Sequence, residues 1–213
     1  MKNGYEQTYE LLVPRLATHD FALAALHLGL APPVEDSLEV TFLRRRYRVD
    51  HQGVFEADGE PPSHINCRSV LIYYVTWGGK GEPYQRYQQL HQFSGGIFTG
   101  GGSKERGADW MLSPLTEQFN GKPELFEATM EVMGAKRCPA SASGVTTWHY
   151  LVLPKMPIEI RYYEKDDEFD CEVHILFDQT ATQFTPFETL CVLHGCLVSE
   201  IVQVGRETQK SEC

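Results

Sequence analysis

Four short stretches carry the residues with chemistry to offer. The first is EKDDEFDCEVHILFDQT, residues 164–180, where carboxylates crowd around the pair Cys171-x-x-His174. A thiolate and an imidazole can both ligate zinc, provided that they point the same way. Here Phe169, Cys171, Val173, Ile175 and Phe177 alternate with Glu168, Asp170, Glu172 and His174, the pattern of a strand with one apolar face. Positions three apart on a strand leave opposite faces, so this pair cannot grip one metal without a bulge. Cys171 then packs as a small apolar residue, and the acids form a solvated face that also discourages edge-to-edge aggregation. A hard-cation site of Asp166, Asp167 and Glu168 is the alternative, because oxygen ligands in a turn suit Ca2+ or Mg2+.

The second stretch is CVLHGC, residues 191–196. On a helix Cys191 and His194 share a face, but Cys196 stands about 140° round from Cys191. A three-ligand site is therefore excluded on a regular helix. The third, HINC at 64–67, places Cys67 in the first turn of a helix, where backbone N–H groups stabilise a thiolate. Cys67 is the candidate reactive thiol. The fourth, SGGIFTGGGS at 94–103, fits neither G-x-x-x-x-G-K-[ST] nor G-x-G-x-x-G. Its glycines permit a tight backbone path, in functional terms a loop over a pocket. No G-x-S-x-G, H-E-x-x-H or C-x-x-C motif occurs. No metal ligands and no cofactor are assigned, and whether the chain is an enzyme stays open.

The elements that position these residues read as follows. Tyr5, Tyr9, Leu12, Val13 and Leu16 have helical spacing, with Pro14 ending or kinking the helix. A second helix runs from about Asp20 to Gly29. SLEVTF is a strand, and the apolar phase slips by one before Tyr47 and Val49, which suggests a bulge near the arginines. DHQG at 50–53 is a turn. PPSHINCRSVLIYYVTWGG is a buried helix with Ser63 as its cap and Gly78 as its stop. RYQQLHQF is a strand, and helices cover parts of 107–119 and 123–133. Ile158, Ile160 and Tyr162 mark one face of a strand, joined through EKDD to the strand already described. TPFE at 185–188 is a capping box opening a helix with a stripe from Phe187 through Leu190, Cys191, His194, Leu197, Val198 and Ile201.

This mixed order predicts an α+β fold: a mainly antiparallel sheet, flanking helices, and a C-terminal hairpin followed by a long helix. We expect one domain over 1–205 and a polar tail over 206–213.

A net charge of −10 excludes nucleic acid as a partner, since phosphate binding needs clustered Lys and Arg. The basic run RRRYR at 44–48 reads as a solvated strand face. No stretch approaches the roughly eighteen uninterrupted apolar residues of a membrane helix, and MKNGYEQTYE lacks a signal-peptide core. We therefore expect a cytoplasmic protein that engages no membrane, with its six cysteines reduced.

The ordered segments THDFALAALHLGL, EVTFLRRRYRVDHQGVF, SVLIYYVTWGGKG, QLHQFSGGIF, LPKMPIEIRYYEKDDEFDCEVHILFD and TPFETL resemble an uncharacterised prokaryotic family, domain of unknown function 3786. LPKMPIEI, the DDEF turn and ILFD before the last helix are the strongest carriers. The resemblance implies an anaerobic bacterial or archaeal cytosol. It also implies an accessory role near metallocofactor chemistry, since some members look fused to iron–sulfur domains like those of corrinoid-linked one-carbon enzymes. No four-cysteine cluster signature is present, so an iron–sulfur or corrinoid centre would belong to a partner protein. Where the family has Arg-Glu before Pro-Gly-Gly, this chain has His91 and Gln92 before Ser94-Gly95-Gly96.

Together these readings give a non-catalytic accessory or ligand-binding domain. Its candidate polar contacts are His91, Gln92, Gly95, Gly96, Asp167, Glu168 and Asp178. The alternatives are an enzyme using a bound metal or the Cys67 thiolate, and a protein–protein interaction module.

Overall fold

A computed structural model describes residues 4–57, 63–94, 109–139 and 143–211. They form α-helices and two antiparallel sheets, an α+β fold. The chain divides into two compact units. One comprises 1–84, 152–156 and 180–196, and the other 85–151, 157–179 and 197–213.

In the first unit, α1 (Gly4–Leu12) passes into a 3-10 turn at Val13–Leu16, where Pro14 stops the regular helix. The Asp20 side chain accepts from Leu23 N at 2.9 Å and opens α2 (Phe21–Leu28), which Gly29 closes in the left-handed region. A three-stranded sheet follows: β1 (Leu38–Phe42), β2 (Arg45–Asp50) and β3 (Gly53–Glu56) in that order. The expected bulge near the arginines is instead a two-residue hairpin turn. Leu43 and Arg44 have φ of 48° and 66°, the left-handed pair that a type I′ turn requires. The register is unbroken, with Leu38 opposite Val49 and Val40 opposite Tyr47. The apolar phase slips because the chain reverses direction.

Helix α3 (Ile65–Thr76) buries Val70, Leu71, Ile72, Tyr74 and Val75 on nearly all sides. Its cap is His64, whose ring accepts from Asn66 N at 3.2 Å, and not Ser63. Ser63 is engaged elsewhere: its N–H and its hydroxyl both donate to Glu56 Oε1, at 2.9 and 2.7 Å. The short α6 (Ala181–Phe184) and the opening turns of α7 (Phe187–Ser211) complete this unit. Thr185 is extended at the expected cap position, but its hydroxyl is buried with no hydrogen bond, so the capping box does not form.

The second unit holds a five-stranded sheet of order β4-β8-β7-β6-β5. Its strands are β4 (Tyr87–Gln89), β5 (Lys136–Arg137), β6 (Val145–Leu153), β7 (Met156–Tyr163) and β8 (Glu172–Asp178). RYQQLHQF supplies only β4, and Leu90–Ser94 then tighten into a 3-10 turn. Two helices flank the sheet: α4 (Asp109–Phe119) and α5 (Pro123–Met133), the latter opened by Pro123 and closed by Gly134 at φ 78°.

Ile158, Ile160 and Tyr162 of β7 and Val173, Ile175 and Phe177 of β8 are buried on one face. The Phe126 and Tyr162 rings stack at 4.6 Å, Phe119 meets Phe126 edge-on, and the Tyr162 hydroxyl donates to Phe119 O at 3.1 Å. Phe169, expected on that face, is 67% exposed, because β8 begins only at Glu172.

Helix α7 buries the expected Leu190, His194, Leu197, Val198 and Ile201, with Leu193 beside them. The polar residues 206–211 are its last turns. Among the described residues α7 is one helix long and apolar enough to cross a membrane, and half of that window, 50%, is buried within the protein. At Gly205 a methyl group would meet Phe119 Cζ at 2.7 Å, so the helix backbone rests directly on that ring.

Candidate functional site

The described candidate polar contacts fall in three places. His91 and Gln92 are exposed in the 3-10 turn after β4, where Gln92 Oε1 accepts from Gln89 N at 2.7 Å. Gly95 and Gly96, with most of the 94–103 glycine run, lie outside the described residues. Asp167 and Glu168 are exposed in the loop between β7 and β8. Asp178 ends β8, is 1% exposed, and accepts from Arg86 N at 3.2 Å. Six residue steps separate Glu172 from Asp178, roughly 20 Å of strand, so the loop acids and Asp178 stand at opposite ends of β8.

The loop carboxylates have local structural partners. Asp166 Oδ1 accepts from the backbone N–H groups of Glu168 and Phe169, each at 2.8 Å, and these bonds hold its carboxyl below the usual range. Asp170 accepts from Asn120 Nδ2 at 2.8 Å and from Lys165 at 3.4 Å, which lowers its carboxyl likewise. Asn120 Oδ1 in turn accepts from Cys171 N at 3.1 Å. This side-chain lattice ties the loop to the end of α4. Among the described residues no three His, Cys, Asp or Glu side chains gather closely enough to hold a metal ion.

A different set assembles on the five-stranded sheet, on the face opposite the apolar core. His149 of β6 places Nε2 3.3 Å from Glu159 Oε2 of β7. The other oxygen of Glu159 accepts from Arg161 Nε at 2.7 Å and lies 2.6 Å from its Nη2. Both carboxylate oxygens are thus engaged, and Arg161 is oriented by Glu159 two positions away on the same side of the strand. The Tyr87 ring, from β4, approaches the His149 ring to 5.3 Å, although β8 and β7 stand between their strands. Cys138 joins from just beyond β5: its N–H donates to Thr147 O at 2.8 Å, in step with Lys136 opposite His149. Thr147 and His149 share a face, so Cys138 is a diagonal neighbour of the imidazole. Asp178, opposite Tyr87 in the ladder, completes the cluster.

Burial pushes the Cys138 thiol up, and the nearby Glu159 charge pushes it further. Burial likewise raises the Tyr87 phenol, with Asp178 and Glu159 adding to the effect. Both groups stay protonated near neutral pH. A thiol next to a histidine and a carboxylate resembles a nucleophilic triad, yet a triad needs the thiolate and this setting disfavours it. What the face offers is hydrogen bonding around an aromatic ring. His149 is the most open member, with 45% of its side chain exposed.

Cys67 sits half-buried in the first turn of α3, as expected, and together with burial it pushes the Cys196 thiol of α7 up. Of the candidate residues named in the sequence that the structure describes, Asp178 alone belongs to the sheet-face cluster. Tyr87, His149 and Glu159 come from three different strands and Cys138 from just past a fourth, and only the register brings them together. One signal for part of it was available: His149 and Glu159 flank the Pro154–Lys155 turn of a hairpin, each standing out of an apolar alternation.

A family model described as "Domain of unknown function (DUF3786)" matches residues 20–200 of the chain. No curated protein and no solved structure gives a match.

Proposed function

We propose, from the premise that this chain belongs to the DUF3786 family, that it is a binding domain holding a small polar ligand on the Tyr87–His149–Glu159 face. The observation that carries this reading is the convergence of the Tyr87 ring, His149 and a fully engaged Glu159 on one sheet face, where burial pushes the Cys138 thiol and the Tyr87 phenol up. Groups of this kind donate and stack; they do not attack. The ligand would donate to the remaining ring nitrogen of His149 and pack a flat surface on Tyr87, with Glu159, itself held by Arg161, fixing the imidazole.

The finer setting belongs to the same proposal. It is an accessory role in anaerobic, corrinoid- or iron–sulfur-linked one-carbon metabolism, in the cytoplasm, beside an iron–sulfur or corrinoid protein. Its support is the resemblance of LPKMPIEI, DDEF and ILFD described above.

Protein purified without oxygen, as wild type and as His149→Ala, tests both levels. Mass spectrometry of released small molecules should find one species retained by the wild type and lost from the folded variant. Identical profiles would remove the sheet face as the site. A corrinoid or iron–sulfur band in the visible spectrum would support the metabolic setting, and colourless, metal-free protein without such a partner would count against it.

A further inference from the structure

We propose that a cavity beside the three-stranded sheet of the first compact unit binds a small organic amine with an apolar body. The cavity measures about 590 Å³, within the range of pockets that enclose small organic molecules. Pro32, Val34, Leu38, Glu39, Tyr47 and Glu56 are among the residues that line it, and all belong to that unit.

Three observations mark this cavity as a built site. Tyr47 is 1% exposed, and its hydroxyl is buried with no hydrogen-bond partner. Ser63 does not satisfy it, because that hydroxyl donates to Glu56 Oε1 at 2.7 Å. A buried phenol left unpaired destabilises the folded protein, and a ligand atom that pairs with it removes the penalty. Val34 is the second, an apolar side chain left 71% exposed where it lines the cavity. The third is the turn that holds Val34 in place. Val34 and Ser37 exchange backbone bonds of 2.9 Å in each direction, and the Ser37 hydroxyl donates to Val34 O at 2.7 Å. Between them Glu35 and Asp36 have φ of 48° and 56°, the left-handed region that favours glycine. Strain of this kind persists only where the surroundings enforce it, and here it fixes one wall of the cavity.

The charges decide the class of ligand. Among the described residues the Glu39 carboxylate has no ion-pair partner. Arg48 stands opposite it in the ladder, but turns to Asp50 at 3.4 Å and over the Phe55 ring at 5.1 Å. Glu56 is balanced by Arg68, 3.9 Å away. The charge left unbalanced on the lining is therefore negative, and Glu35 and Asp36 in the adjoining turn reinforce it. An ammonium group carries three donors, enough for the Glu39 carboxylate and the Tyr47 oxygen together. The apolar body then covers Pro32, Val34 and Leu38.

Titration of the isotope-labelled full chain with phenethylamine, followed by nuclear magnetic resonance, tests this. Phenethyl alcohol and hydrocinnamate serve as the neutral and anionic counterparts. We expect saturable shifts at the amides of Val34, Ser37, Glu39 and Tyr47 at millimolar phenethylamine, and binding of the other two weaker by about tenfold or more. Glu39→Gln should weaken phenethylamine by about tenfold. Tyr47→Phe should weaken it too, yet raise the melting temperature of the free protein, because the unpaired hydroxyl is gone. The proposal falls if phenethylamine gives no saturable shift, if the shifts map elsewhere, or if the alcohol binds as tightly as the amine. It falls equally if Glu39→Gln leaves the affinity unchanged or if Tyr47→Phe lowers the melting temperature. The three wild-type titrations decide even if a variant fails to fold.

Discussion

Cys171 and His174 stand three positions apart where the chain enters β8, while Cys138, just past β5, and His149 of β6 are eleven apart. Both pairs sit in the five-stranded sheet. In the first, Cys171 is 1% exposed and His174 turns the other way, to Glu172 at 3.1 Å and the Tyr163 ring at 4.9 Å. Both residues border a cleft of about 330 Å³ against α4, yet they approach it from opposite faces of the strand. In the second pair, ladder register puts thiol and imidazole on one face beside a shared carboxylate. On strands, closeness in sequence separates side chains by parity, and pairing reunites residues that look unrelated. The first pair serves the core and the loop; the second gathers on the face where we propose that a ligand binds.

The sharpest way to break this contrast is to cut into each side and compare the cost. Ile175→Ala, on the Cys171 side of β8, should lower unfolding free energy by about 3 kcal/mol, read from the denaturant midpoint. A loss under about 1 kcal/mol would mean that this face is not the core.

A third histidine shows what a core-side imidazole does. Burial depresses the His194 pKa to about 4. The unfolded chain therefore takes up a proton near pH 6.5 that the folded chain refuses until about pH 4, and stability falls as pH drops through that window. Between pH 7 and pH 5 the loss should be about 2 kcal/mol in denaturant titrations. His194→Leu should flatten that slope, and an unchanged slope would assign it to other groups.

Asn120→Ala removes the acceptor of Cys171 N and the donor to Asp170, so it should cost about 1 kcal/mol and open the 164–171 loop to limited proteolysis. His149→Ala should have the smallest effect, under about 0.5 kcal/mol by thermal melt, because an exposed ion pair contributes little to folding. A large loss there would make the imidazole structural and dissolve the contrast.

Much of the fold was legible wherever local chemistry acts alone. Asp20 and Gly29 bracket α2, Pro123 and Gly134 bracket α5, and alternation gives β1 and the inner faces of β7 and β8. Expectations failed where tertiary partners decided. Glu56 draws Ser63 away from α3, Thr185 has the right backbone for a cap but no capping bond, and β4 ends at Gln89, where the chain tightens into a 3-10 turn although β8 runs on to Glu172. The candidate site was legible only at Asp178. His149, Glu159 and Tyr87 occupy ordinary outward positions in their own strands, with Cys138 just past the end of its own, and nothing in a single strand announces its neighbours across the sheet.

Gly205 has a mechanical consequence. Because Phe119 fills the place where a side chain would begin, the ring and the bare backbone act as a key in a slot. A helix held this way cannot turn about its axis or creep by one residue without driving a Cβ into the ring. Helix interfaces usually tolerate sliding because their ridges repeat; this contact does not repeat, and it allows α7 one angular setting against α4.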